Sequence, residues 1–226
     1  MKIKIYQIDT EKDKHNVKFE GYDRLEKYQG TRDIDASIYT EVFSGETESE
    51  TLEGVYRDFN TKPQPLHRGH SLSVSDIVVT KDGAFYCDSV GFKKVGFDEQ
   101  QAYRSENLLQ VVYVEPNKPA YKAEIEDELE NLQRAVGGHL GIVYHSDKTC
   151  FVCNDDGKLI GLPGNRRLGD GKSIIAGAFF IVGTSGENFR SLTEEESAKY
   201  LDRFATPEEI SDEEVREDTG VKFYPL

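Results

Sequence analysis

Four clusters in this 226-residue chain hold side chains able to do chemistry. The first is Cys150-Phe151-Val152-Cys153, a pair of thiols three residues apart, with His139 and His145 as nearby candidates to complete a zinc set. A zinc-binding pair normally sits on a tight turn, and a redox pair needs a helix N-terminus to stabilise its thiolate. This segment reads as a strand, on which residues i and i+3 face opposite ways. The expectation is two buried structural cysteines, with no metal and no cofactor.

The second cluster is His67-Arg68-Gly69-His70-Ser71, followed by Ser73, Ser75 and Asp76, which supplies the residue types of a hydrolase triad. A nucleophilic serine needs a strained elbow and an oxyanion hole, typically within Gly-x-Ser-x-Gly. Here Ser71, Ser73 and Ser75 alternate along an apparent strand, Ser73 to Thr80, and would share one face. The plainer reading is a turn entering that strand, with Asp76 anchoring a neighbour's backbone. No catalytic residue is assigned, and a hydrolase using His67, His70 and Ser71 stands as an alternative.

The third cluster, Gly164 to Ser173, resembles a phosphate loop at first sight. A Walker A loop needs glycine where Arg166 stands and a helix after it, whereas the segment from Ile174 is strand-like. Nucleotide binding is rejected. Arg166 and Arg167 remain as a basic loop that either anchors the protein's own carboxylates or touches a partner. The fourth group is acidic: Glu194, Glu195, Glu196, Glu208, Glu209, Asp212, Glu213 and Glu214. Helix first turns favour negative charge, which accounts for Glu194 to Glu196 and Asp212 to Glu214 without a ligand. They also lack the oxygen spacing and central glycine of a calcium loop.

These acids dominate the electrostatics. The net charge is −14, with 15 basic against 20 acidic residues up to Asn107 and 13 against 22 beyond it. Thr193 to Asp218 holds 11 acids and 3 bases. Such a chain repels phosphates, so no direct nucleic-acid binding is expected, and a protein with a basic surface is the expected partner. A solubilising surface with no specific partner explains the same charge. No apolar run approaches the ~20 residues of a membrane span. The first residues lack a signal-peptide core, and three cysteines make no disulfide framework. A cytoplasmic protein is expected.

The elements that must position these residues follow from periodicity. Lys2 to Ile8 alternates as a half-buried strand, and Tyr39 to Phe43 is a second. Thr47 and Glu50 read as a capping box for a helix with Leu52, Val55, Tyr56 and Phe59 on one face. Asp82-Gly83 reads as a hairpin turn before Ala84 to Cys87. The polar stretch 98–107 reads as a linker. Beyond it come strands at Leu108 to Val114, Ala120 to Ile125, Leu140 to Tyr144 and Cys150 to Cys153. A helix from Asp127 to Val136 is closed by Gly137. Ile174 to Val182 is the most apolar strand, with Gly177 marking a bulge or close approach. Thr193 and Glu196 cap one late helix; Thr206, Pro207 and Glu209 read as the start of another.

Two stretches resemble known families. Lys4-Ile5-Tyr6-Gln7, Leu52 to Asn60, Gly69 to Val78 and Asp88-Ser89-Val90-Gly91-Phe92 resemble a YodL-like domain. Val114-Glu115-Pro116, Leu132 to Gly138, Cys153 to Lys158, Gly161 to Leu168, Ile175 to Gly183 and Ser191-Leu192-Thr193 resemble domain of unknown function 3846. The resemblance implies no agreed activity, cofactor or catalytic set. It does imply a setting on bacterial mobile elements and prophages, beside conjugation, replication and anti-restriction proteins.

The expected fold is α+β in two small domains, each a mainly antiparallel or mixed sheet packed against one or two helices. The expected boundaries are 1–97, a linker 98–107, 108–206, and an acidic C-terminal helix and tail 207–226. The expected function is a non-enzymatic acidic binding protein of a mobile element or phage, such as an anti-restriction or anti-CRISPR inhibitor occupying a basic nucleic-acid-binding surface. A regulatory or scaffold module acting on the producer's own DNA-transfer or cytoskeletal proteins is the alternative.

Overall fold

The computed structural model describes residues 1–144, 148–169 and 173–219. The chain divides into two compact units that meet between Glu106 and Asn107.

The first unit comprises β1 (Lys2–Ile8), α1 (Leu25–Gln29), β2 (Tyr39–Glu46), α2 (Leu52–Thr61), β3 (Ile77–Thr80), β4 (Gly83–Cys87) and β5 (Phe92–Val95). Its strands form one antiparallel sheet in the order β2-β1-β3-β4-β5. The alternation of β1 predicts burial on one face, yet both faces are covered. Ile3 and Ile5 pack with Val55 and Phe59 of α2. On the opposite face Tyr6 and Ile8 pack with Val17, Leu25 and Tyr39. A bulge in β2 opposite Ile5 and Tyr6 puts both Val42 and Phe43 into the α2 cluster.

Helix α2 starts later than its sequence suggests. Thr51, and not Thr47, is the N-cap and accepts the Gly54 N–H. Of its predicted apolar face, Val55 and Phe59 are buried, whereas Tyr56 is exposed. The supposed linker is also part of this unit as far as Arg104. The Phe97 ring packs on Tyr6 and Tyr39 at 4.9 and 5.4 Å, and Tyr103 bridges Thr40 alongside β2. Two aromatics in an otherwise polar stretch are enough to fix it, which composition alone hides.

The second unit comprises β6 (Leu108–Val114), β7 (Tyr121–Glu126), α3 (Leu129–Val136), β8 (Leu140–Tyr144), β9 (Thr149–Asn154), β10 (Gly164–Leu168), β11 (Ser173–Ala176), β12 (Phe179–Ser185), β13 (Asn188–Arg190), α4 (Glu194–Arg203) and α5 (Asp212–Asp218). The main sheet runs β7-β6-β12-β9-β8, antiparallel throughout, with β13 added to β12. One face holds Val112, Val114, Phe151, Phe179 and Ile181 against Tyr200 and Phe204 at the end of α4. The alternate residues of the same strands turn to the other face, where α3 brings Leu132, Ala135 and Val136. Gly137, at φ 73°, closes α3 as predicted.

The apolar run Ile174 to Val182 is two strands and not one. Gly177, at φ +81°, turns the chain between β11, which pairs with β10, and β12, which enters the main sheet. A Cβ there would lie 2.6 Å from Leu162 Cδ1. The last helix begins at Asp212 on a capping box of Ser211 and Glu214, so the Thr206-Pro207 start does not form. Gly177→Ala combines a left-handed backbone with that clash and is expected to destabilise the unit by about 1–3 kcal/mol, read from the urea unfolding midpoint.

Candidate functional site

The acidic residues gather on the surface of the second unit, but half of them are engaged within it. Thr193 and Glu196 form the predicted capping box of α4, and Glu196 also takes two bonds of 2.8 Å from the Arg190 guanidinium. Those Arg190 bonds, with the Thr193 N–H, hold the Glu196 carboxyl down at about 2. Glu194 meets Lys122. Glu208 and Glu214 both grip Arg167, Glu208 at 3.1 Å and through the Arg167 backbone N–H. Asp218 receives Lys158 and the Ile174 N–H. Val215 and Ile210 complete the contact over Ile174 and Ala176. Thus α5 is sewn onto the β10–β11 hairpin. Glu195, Glu209, Asp212 and Glu213 are exposed and engage no cation of the described chain.

Arg166 and Arg167 are strand residues of β10, which corrects their reading as a basic loop. Arg166 is 1% exposed. Its guanidinium donates to the carbonyls of Lys118 at 2.7 Å and Phe204 at 3.3 Å, and to the backbone and side-chain oxygens of Asn165. Asn165 in turn donates to the carbonyls of Val114 and Gly177. Arg166 is therefore an internal anchor, out of a partner's reach. Residues 170–172 of the former phosphate-loop candidate lie outside the described residues.

The triad residues of the first unit stand close together but in other roles. Residues 73–76 form a turn and not a strand, so Ser71, Ser73 and Ser75 share no strand face. Ser75, at φ +80°, is fully buried; its Oγ accepts the Phe19 N–H and its carbonyl accepts the Tyr39 hydroxyl. Asp76 Oδ2 accepts from Ser73 N–H at 2.7 Å and from Gln7 Nε2 at 2.9 Å, and lies 4.0 Å from His70 Nδ1. The two Gln7 amide protons are used on Asp76 and the His70 carbonyl, so His70 Nδ1 donates to the Ser71 carbonyl at 2.8 Å. His67 is buried edge-on between Phe43 and Phe59. This geometry links no serine hydroxyl to a histidine. Gln7 is the organiser that the sequence does not single out.

The same unit holds a cleft of about 270 Å³, walled by Lys4, Tyr6, Glu41, Glu99, Tyr103 and Arg104. Tyr6 OH donates to Glu99 at 2.7 Å and lies 3.3 Å from Glu41. Burial, then these carboxylates, push the phenol far above its ordinary range, so the hydroxyl keeps its proton. Glu41 is 5% exposed, between Arg68 at 3.7 Å and Arg104 at 3.5 Å. None of this was visible as a motif, because the residues come from three separate segments.

Cys150 and Cys153 both lie on β9 with their thiols unbridged. Burial pushes the Cys150 thiol up to about 11 and raises Cys153 as well. His139 faces Asp156 at 3.5 Å, and His145 lies outside the described residues. Among the described residues, no group of three or more His, Cys, Asp and Glu side chains is placed to hold a metal, and no helix is long and apolar enough to cross a membrane.

Two antiparallel sheets, each with helices packed on it, define a chain of two small α+β domains. The first unit matches the family model of the YodL-like domain over residues 2–97. The second matches that of a domain of unknown function (DUF3846) over residues 109–205. The chain carries a YodL-like domain followed by a DUF3846 domain. No curated protein and no solved structure matches it.

Asp76 gives a pH signature. Burial raises its carboxyl from 3.8 to about 7, against the pull of Ser73 and Gln7. The folded chain therefore keeps a proton that the unfolded chain releases between those values. Its contribution to stability is complete below the unfolded value and lost as pH rises through about 7. Asp76→Asn should remove this falling limb, narrowing the stability difference between pH 5 and 8 relative to the unaltered chain in urea titrations at each pH.

Proposed function

We propose that the chain is a non-enzymatic binding protein whose second unit presents carboxylates to a cationic surface on a partner protein. The observation that carries this reading is the set Glu195, Glu209, Asp212 and Glu213, exposed on the first turns of α4 and α5 and the segment between, with no cation of the described chain engaging them. Chains this acidic are drawn to basic proteins and away from phosphates. In its concrete form the partner is a basic nuclease of a host defence system, and the acidic surface occupies the channel that would take DNA or guide RNA. A cytoplasmic protein of a mobile element or phage fits this role. The resemblance to domains carried beside anti-restriction genes supports the setting, and a module acting on the producer's own DNA-transfer or cytoskeletal proteins would use the same surface.

The test is a salt titration of binding to basic nucleases. Affinity should fall steeply with ionic strength. Replacing Glu195, Glu209 and Glu213 by Gln and Asp212 by Asn should weaken binding about tenfold or more, and should flatten the salt dependence, at ~0.2–1 kcal/mol per exposed pair. Affinity indifferent to salt would remove the reading.

A further inference from the structure

The ends of the two main sheets are managed differently. β5 carries Lys93 and Lys94, and β7 carries Lys122, Glu124 and Glu126. β2 is flanked by the Tyr103 segment and by the Arg68 N–H bonded to the Val42 carbonyl. Charges and covering segments of this kind stop an edge from recruiting another chain. β8 has neither. Its sequence, Leu140-Gly141-Ile142-Val143-Tyr144, holds no charge and no proline, and among the described residues it pairs with β9 alone. Ile142 is 43% exposed, Val143 41% and Tyr144 75%. Val143 stands opposite Phe151, on the α4 face; Ile142 and Tyr144 stand opposite Val152 and Cys150, on the α3 face. An open ladder thus has apolar side chains above and below it.

We propose that β8 is a docking edge that takes an extended segment of a cationic protein as an additional strand. Main-chain hydrogen bonds would supply the affinity and the apolar flanks the choice of side chains. This rests on the binding reading above and names where the partner is held. Two quantities select a partner over a second copy. A second copy carries the same −14 charge and is repelled, whereas a cationic protein is attracted. The strand is also short. Five residues span about 17 Å of a layer about 10 Å thick. That buries on the order of a few hundred Å², well under the ~1,200–2,000 Å² of a stable interface. A second contact is needed, and the acidic surface of the same unit offers it to a cationic protein.

The test uses the full chain and a short labelled peptide in which valine and threonine alternate with lysine. Two further versions carry N-methyl groups on the backbone amides of one edge or the other. Anisotropy should show binding of the parent, a loss of about tenfold or more for one methylated version and little change for the other. Hydrogen exchange should slow in residues 140–144. Ile142→Lys, at an exposed position, should weaken binding to a similar degree. No binding, equal effects of both methylated versions, protection elsewhere, or β8 protection that grows with protein concentration without peptide would each overturn the proposal, the last in favour of a second copy. The quadruple carboxylate variant separates the two readings. If β8 protection survives there with an unchanged salt slope, the acidic-surface reading fails and the docking edge stands. If the salt slope is lost there but residues 140–144 were never protected, the reverse holds.

Discussion

A sheet covered on both faces leaves its strands no wet side, and in both units that constraint decides where polar atoms can lie. β1 is flanked by α2 on one face and by Val17, Leu25 and Phe97 on the other. Its polar side chains therefore sit where the layers end. Gln7 closes a knot with His70 and Asp76, and Lys4 and Tyr6 reach Glu99 at the cleft. In the second unit the same pressure falls on Asn165 and Arg166, both buried and both spent on backbone carbonyls. A buried donor or acceptor without a partner costs ~1–3 kcal/mol, so these clusters are conditions of packing before they are anything else.

The surplus of acid follows a second logic. A chain this negative gains by spending its cations where they tie elements together. Arg167 is placed between Glu208 and Glu214, Arg190 against Glu196, and Lys158 against Asp218. What remains outward is a residue of that arithmetic, concentrated around α4 and α5. The function proposed for the chain lies in this remainder, together with the uncharged edge of β8, and not in any of the buried clusters that first suggest chemistry.

Local signals were readable where they depended on neighbours in sequence. The α4 capping box, the Gly137 stop and the apolar β6 are set by residues within one turn or one strand. The failures have a common cause. Thr47 and Thr51 are both competent caps, and only packing of Val55 and Phe59 chooses between them. Gly177 was legible as a special backbone position, but whether it bulges a strand or divides two depends on β10, whose Arg-Arg pair disguises a strand. For the candidate sites, the types were legible and the assembly was not. His70 and Asp76 are six residues apart, yet their geometry is set by Gln7, on a strand far earlier in the chain.

The Asn165-Arg166 pair has a consequence for biosynthesis. Its hydrogen bonds reach back to Val114 and Lys118 and forward to Gly177 and Phe204. During translation the guanidinium emerges well before the carbonyl at the end of α4 that completes its set. Until that helix leaves the ribosome, a charged group destined for the interior must stay hydrated, and β10 must stay outside. The nascent second unit is thus barred from early closure, and its final compaction awaits its penultimate helix.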